Sequence, residues 1–186
     1  MKSREESLMF LGIDIGSSFI KSALFDLDAN RVFDIQKRST PAFIPHKLPR
    51  KEINPEEIIT AVKSIITSAA AKYTIQGVVF SSQMQGLLLR DSHGGRITDF
   101  ISWQDSRATE IQSDGDNILE GITRTGTIDL LTSAGVQLKS VHSLCPLMAL
   151  LKAGAPRDAR VLLLGDVIAE ALTGEPSGIH PTMAAS

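Results

Sequence analysis

The 186-residue sequence predicts an α/β domain that opens with an antiparallel meander of three strands. Three stretches carry that expectation. Met9 to Asp26 (MFLGIDIGSSFIKSALFD) holds two runs of mixed apolar and polar residues around Gly16-Ser17-Ser18, which is the pattern of a hairpin. Asn54-Pro55-Glu56-Glu57 then starts a helix, and Gly77 to Ser82 (GVVFSS) is a short apolar run suited to the buried centre of a sheet. Strand, strand, strand, helix, strand is the order of an α/β domain.

Taken along the chain, the first strand is the apolar run that ends at Asp14, and Gly16 permits a close backbone approach in the turn. The third strand is Arg31 to Thr40, reached through the turn residues Asp28-Ala29-Asn30. Pro41 to Lys51, with three prolines and several bases, is a loop. Asn54 is placed as helix cap, Pro55 at the first helical position and Glu57 in a capping box. Ile58, Ile59, Val62, Ile65, Ile66 and Ala69 keep one apolar face to about Lys72. Leu87 to Asp91 resumes a strand before the turn Ser92 to Gly95.

Further on, Ser113 to Thr127 is polar, with a weak helix around Asn117 to Glu120, and Gly126 to Gly135 can hold one short helix. Ser143 caps a helix that runs through Lys152 and stops at Gly154 and Pro156. Arg160 to Leu164 is a buried strand. A helix from Gly165 to Leu172 is ended by Thr173-Gly174.

Composition sets the class. One domain of 42% hydrophobic residues can bury a core. A net charge of −2 gives no electrostatic footprint for nucleic acid or an acidic membrane. The single Cys145 excludes an internal disulfide, and no apolar run nears the ~20 residues that span a bilayer. The polar start, residues 1–8, is too charged for a signal peptide. A cytoplasmic protein is expected.

Three loops offer chemistry. Gly16, Ser17 and Ser18 could form an anion-binding nest for phosphate, with Asp14 beside it holding magnesium through water; the same letters also make an ordinary hairpin. In Ser81 to Gly86 (SSQMQG), Gln83 and Gln85 can donate and accept toward a polyhydroxylated ligand, and Met84 offers a pliable apolar surface. Ile101 to Arg107 (ISWQDSR) carries the only tryptophan. Trp103 with Gln104 and Asp105 is either a sugar-stacking platform or a tryptophan packed under a loop, with Asp105 and Arg107 as an ion pair. His93 reads as an exposed turn residue, and Cys145 as a small core residue without an activating base.

Together these stretches resemble the N-terminal domain of the FGGY family of carbohydrate kinases, most of all its xylulokinase-type and gluconokinase-type branches. The matching runs are Gly12 to Ser18 with Lys21 and Phe25-Asp26, then Ser82 to Gly86, then Trp103 to Ala108. Asp166, Leu172 to Glu175 and Ala184-Ala185-Ser186 follow in the same order. The resemblance implies a ribonuclease-H-like, actin-like ATPase domain whose mixed sheet carries helices on both faces. It implies Mg-ATP as cofactor and a sugar or polyol as substrate, with no nucleic acid and no membrane.

By the same resemblance, Asp14, Gly16, Ser17 and Ser18 lie near the transferred phosphate, and Gln83, Met84, Gln85, Trp103 and Asp105 serve the sugar. Where xylulokinase-like members commonly read Met-His, this chain has Met84-Gln85, which cannot titrate near neutral pH. The family's catalytic base is expected beyond Ser186. Residues 9–186 are then a lobe incomplete at its C-terminus, whose second, nucleotide domain is absent and which alone is expected to be inactive. A lobe lacking that partner exposes apolar surface and can form a homo-oligomer. Two alternatives stand beside this reading. One is a non-catalytic sugar-binding or regulatory module. The other is a different actin-like ATPase lobe, against which the WQDSR and SSQMQG loops argue.

Overall fold

The computed structural model describes residues 8–47, 50–112, 115–124, 129, 132, 133, 135 and 137–179. Expectations for the tail before Leu8, for most of Gly126 to Gly135 and for Ala184 to Ser186 fall outside the described residues. The chain divides into two compact units, Met1–Pro41 with Glu56–Gln83, and Ala42–Pro55 with Met84–Ser186.

The first unit is built on the hairpin. Strands β1 (Met9–Ile15) and β2 (Phe19–Asp26) pair antiparallel, and β3 (Arg31–Ser39) continues the meander on β2. The turn into β3 is held by Asp26 Oδ1, which accepts from Ala29 N at 2.9 Å, and by Asn30, whose φ of 47° is in the left-handed region. Helix α1 (Pro55–Ala70) follows the short strand β4 (Glu52–Ile53), and β5 (Ile75–Ser82) pairs parallel to β1. The strand order is β3-β2-β1-β5.

Alternation along β1 buries Leu11, Ile13 and Ile15 on one face and leaves Gly12 and Asp14 on the other. Ile20 and Leu24 of β2, and Ile58, Ile59, Val62, Ile65 and Ala69 of α1, are buried with the first set. One expectation changes here. β5 is not central: β1 is its sole sheet neighbour among the described residues, and Val79 is 67% exposed. Among the described residues of this unit, α1 covers one sheet face, while the other presents Gly12, Asp14, Lys21, Ile35, Val79 and Ser81 around an open depression of about 410 Å³. The Asp14–Lys21 pair on that surface favours water over burial.

The second unit packs short strands against helices. β4 pairs with β7 (Phe100–Ile101), and β6 (Leu88–Arg90) pairs with β8 (Arg160–Leu162), all antiparallel. A 3₁₀ turn (Arg107–Thr109) precedes α2 (Ile118–Arg124), α3 (Leu144–Lys152) and α4 (Leu164–Thr173). Helix α2 starts with a reciprocal box, as Asn117 Oδ1 accepts from Glu120 N at 2.9 Å and Glu120 Oε2 from Asn117 N at 3.2 Å. Leu87, Leu89 and Ile101, with Leu147, Leu150 and Val161 against them, form one core cluster. Ala108, Ile118, Ile122 and Cys145 form another. Gly174, at φ 76°, ends α4 as expected.

Candidate functional site

In the first unit, the hairpin register sets Asp14 opposite Lys21 on β2 and Ser81 on β5. Lys21 Nζ reaches Asp14 Oδ2 at 3.4 Å, and Ser81 Oγ donates to Asp14 Oδ1 at 3.2 Å. Both charged groups are about half exposed, so the pair contributes modestly to stability and stays open to other ions. Gly16 N donates to Phe19 O at 3.0 Å, and a Cβ at Gly16 would lie 2.9 Å from that oxygen. The turn is therefore tight because of its own backbone, and Gly16 N is not offered to a ligand. The Ser17 and Ser18 N–H groups make no hydrogen bond among the described residues.

Gln83, at the exit of β5, is anchored by its backbone N to Ile15 O at 2.9 Å. Its side-chain amide is sealed from solvent with neither atom bonded. An unpaired buried amide costs about 1–3 kcal/mol, so the position calls for a water or ligand atom.

In the second unit, Trp103 is 38% exposed and Met84 63% exposed, while Asp105 is 2% exposed. The Asp105 carboxylate accepts four hydrogen bonds. Oδ1 takes Arg107 N at 2.9 Å and Arg107 Nε at 2.9 Å; Oδ2 takes Lys51 N at 2.7 Å and Arg107 Nη2 at 2.9 Å. A carboxylate offers about four lone-pair sites, and here all are filled. Arg107 Nη2 also reaches Glu52 Oε1 at 2.5 Å, and Glu52 Oε2 meets His46 Nε2 at 2.8 Å. Burial works against the Arg107 charge, but the bonds from Asp105 and Glu52 outweigh it and hold its pKa above the ordinary value. The ion-pair alternative for Asp105 and Arg107 is thus found, with Trp103 partly exposed beside it. Asp105 ties the tryptophan loop to residues 51 and 52 and leaves no lone pair for a sugar.

Gln85 sits at φ 63° and Gly86 at φ 80°. A Cβ at Gly86 would meet Ile101 O at 2.6 Å and the Phe100 ring at 2.8 Å, so only glycine fits there. Gln85 Oε1 accepts from Ser143 N at 3.0 Å and from Ser143 Oγ at 3.4 Å. Ser143 does not cap α3 with its own side chain, contrary to expectation; the acceptor comes from Gln85, 58 residues away. Glu52, His46 and Ser143 carry no motif, and only the folded chain brings them in. A three-residue turn over Gly16-Ser17-Ser18, as the sequence suggests, would set Asp14 opposite Ile20; the observed register, counted from the two-residue turn Ser17-Ser18, sets it opposite Lys21.

Among the described residues there is no group of three His, Cys, Asp or Glu placed to hold a metal, and no helix long and apolar enough to cross a membrane. The chain matches the model for the FGGY family of carbohydrate kinases, N-terminal domain, over residues 9–150. It is 29% identical over 132 residues to a xylulose kinase of Bacillus subtilis (strain 168), a match that takes in 66% of this chain and 26% of that protein. Among solved structures it is similar to a gluconate kinase from Lactobacillus acidophilus, with TM-score 0.78 and 23% identity, over 91% of this chain and 34% of that one. A ligand-bound xylulose kinase from the same organism gives TM-score 0.77 and 23% identity, over 90% and 34%. The fold is the actin-like ATPase fold of these kinases, and the chain spans about a third of their length.

Proposed function

Because the chain belongs to the FGGY family of carbohydrate kinases, as its N-terminal domain, we propose that it is the sugar-side lobe of an enzyme that moves the ATP γ-phosphoryl group to a sugar or polyol hydroxyl. The observation that carries this reading is the Trp103 loop. Its ring is partly exposed while the residues behind it are locked by the Asp105–Arg107–Glu52 cluster, which suits a rigid platform for the C–H face of a sugar. Met84 and Gln85 add an apolar surface and an amide. The relatives' names point to a ketose such as xylulose or an aldonate such as gluconate.

Asp14, Ser17, Ser18 and Ser81 fit the phosphate side. One carboxylate and several hydroxyls do not form a metal cage. They fit a magnesium that keeps most of its water and is held mainly through phosphate oxygens, its chemistry being neutralisation of the transferred group's charge. On this reading Lys21 balances Asp14 when no nucleotide is bound. No base is assigned, since Asp105 is fully bonded and Asp14 is paired. A cytoplasmic enzyme completed by a C-terminal nucleotide domain, and inactive without it, is part of the same proposal.

Trp103 fluorescence tests it. Titration with pentuloses, hexonates and polyols is expected to give a saturable change with one class. Silence across the whole panel would overturn the reading.

A further inference from the structure

We propose that the cleft between β3 and α1 is a binding site for hydrogen phosphate, on the face of the sheet that lies away from Asp14 and Lys21. The inference stands apart from the sugar-lobe reading and needs none of its residues.

The cleft exists because β3 is polar where it faces the helix. Pairing sets Gln36 opposite Ser22 and Arg38 opposite Ile20, and residues directly opposite share a face. That is the face on which Ile20 and Leu24 lie buried with the apolar side of α1. A space of about 240 Å³ remains there, with Leu24 and Ile65 beneath it and Ser22, Gln36, Arg38 and Lys72 around it. Metabolite pockets run from about 300 Å³ upward, so this one suits a single small ion. Leu24 pairs with Phe33 and Ser22 with Gln36, so β3 takes three steps where β2 takes two. Asp34 sits in the resulting bulge at φ 47° and lines the same cleft.

The polar groups around the space are short of partners. Ser22 is 7% exposed, yet its hydroxyl makes no hydrogen bond among the described residues and is not one of the atoms sealed from solvent, so it opens onto the cleft. The Lys72 ammonium, just beyond α1, pairs with nothing among the described residues, and the Arg38 guanidinium has there only Ser64 Oγ, at 3.5 Å. Two cations over a buried donor fit an oxyanion. Asp34 decides which one. Its Oδ1 accepts from Gln36 Nε2 at 2.6 Å, and its Oδ2 has no partner among the described residues. A carboxylate repels an ion that brings only acceptors, such as sulfate. It accepts from an ion that keeps a proton, as hydrogen phosphate does at neutral pH. Ser22, Arg38 and Lys72 then donate to phosphate oxygens, while the phosphate O–H donates to Asp34.

The test is calorimetric titration of the whole chain with inorganic phosphate and with sulfate, at neutral pH and matched ionic strength. Phosphate should bind saturably, and sulfate about tenfold more weakly. Lys72→Met, a change at an exposed side chain, should weaken phosphate about tenfold, whereas Lys63→Met, which removes an exposed cation of α1 outside the cleft, should not. Ser22→Ala alters no charge and should still cost about threefold. Asp34→Asn keeps a residue type at home in the left-handed region, and should bring phosphate and sulfate to within about threefold of each other.

Absence of saturable phosphate binding overturns the inference, as does equal binding of sulfate by the unaltered chain or a phosphate preference that survives Asp34→Asn. A loss in Lys21→Met with none in Lys72→Met would put the ion at the hairpin instead. Equal losses in Lys63→Met and Lys72→Met would reduce the site to a diffuse positive field, and either result sinks it. Lys72 lies on the surface, so its variant keeps the test decisive should Ser22→Ala fail to fold.

Discussion

Arg107 is the residue on which the second unit's polar interior depends. Its guanidinium joins Asp105 and Glu52 with its side chain 6% exposed, and among the described residues the Asp105 carboxylate is otherwise met only by the backbone N–H groups of Lys51 and Arg107. Arg107→Ala leaves two carboxylates in a poorly solvated place and should cost about 3–5 kcal/mol. Arg107→Lys cannot reproduce the bidentate fork and should recover only part of that. Urea unfolding measures both; a loss under about 1 kcal/mol for alanine would mean that the cluster is hydrated and minor. Cys145 behaves in the opposite sense. Burial pushes its thiol up to about 11, and its Sγ–H is directed to Lys139 O at 3.3 Å. At neutral pH it should resist a disulfide reagent in the native protein and react once unfolded; native reactivity at the rate of a free thiol would contradict its burial. That Cys145 is inert core was legible in the sequence, because no base accompanies it. That Asp105 is a strut was not, because its partners at residues 51 and 52 lie far away in sequence.

At the scale of elements, glycines and one glutamate set boundaries. Gly86→Ala combines a φ of 80° with a backbone oxygen 2.6 Å from the new Cβ, and should destabilise by about 2 kcal/mol or more. A thermal midpoint unchanged by that substitution would show that the turn adapts. Glu170 on α4 ties three pieces together, accepting from Arg90 Nη1 at 2.7 Å, Arg160 Nη2 at 2.6 Å and Ser177 N at 2.8 Å. Burial alone would raise its pKa, but the bonds from Ser177 and Arg160 and the charges of Arg160 and Arg90 lower it below the ordinary 4.5. A carboxylate lowered in the folded state contributes stability that is fully present above its unfolded value and is lost as pH falls through the folded one. Denaturant midpoints followed downward from neutral pH should therefore decline less steeply in Glu170→Gln, which starts less stable. Parallel curves for the two proteins would refute the link. Helix ends were readable where the cap is local, as at Pro55 and Gly174. At α3 they were not, since the acceptor arrives from Gln85.

For the whole molecule, the expected outcome is binding without turnover. The chain covers 34% of the gluconate kinase it resembles in fold, and the carboxylates of Asp105 and Asp14 are already bonded or paired. Purified chain with Mg-ATP and a responsive sugar should form no sugar phosphate above background in a coupled assay, and measurable phosphorylation would overturn the idea that the base lies outside it.

Period-2 alternation, a capped amphipathic run and three ordered loops were enough to place the α/β class, the meander, α1, α4 and the family. Each depends on neighbours within a turn or a strand, which is the range over which side-chain chemistry dictates local structure. Only the tertiary structure decided that β5 has one sheet neighbour, that one sheet face of its unit is open and that Asp105 is enclosed. It also decided that Gln85 accepts from Ser143 at the start of α3. Those outcomes are contacts between residues up to 67 positions apart, as with Asp14 and Ser81. A side chain's free lone pairs are known only after every such partner has been counted.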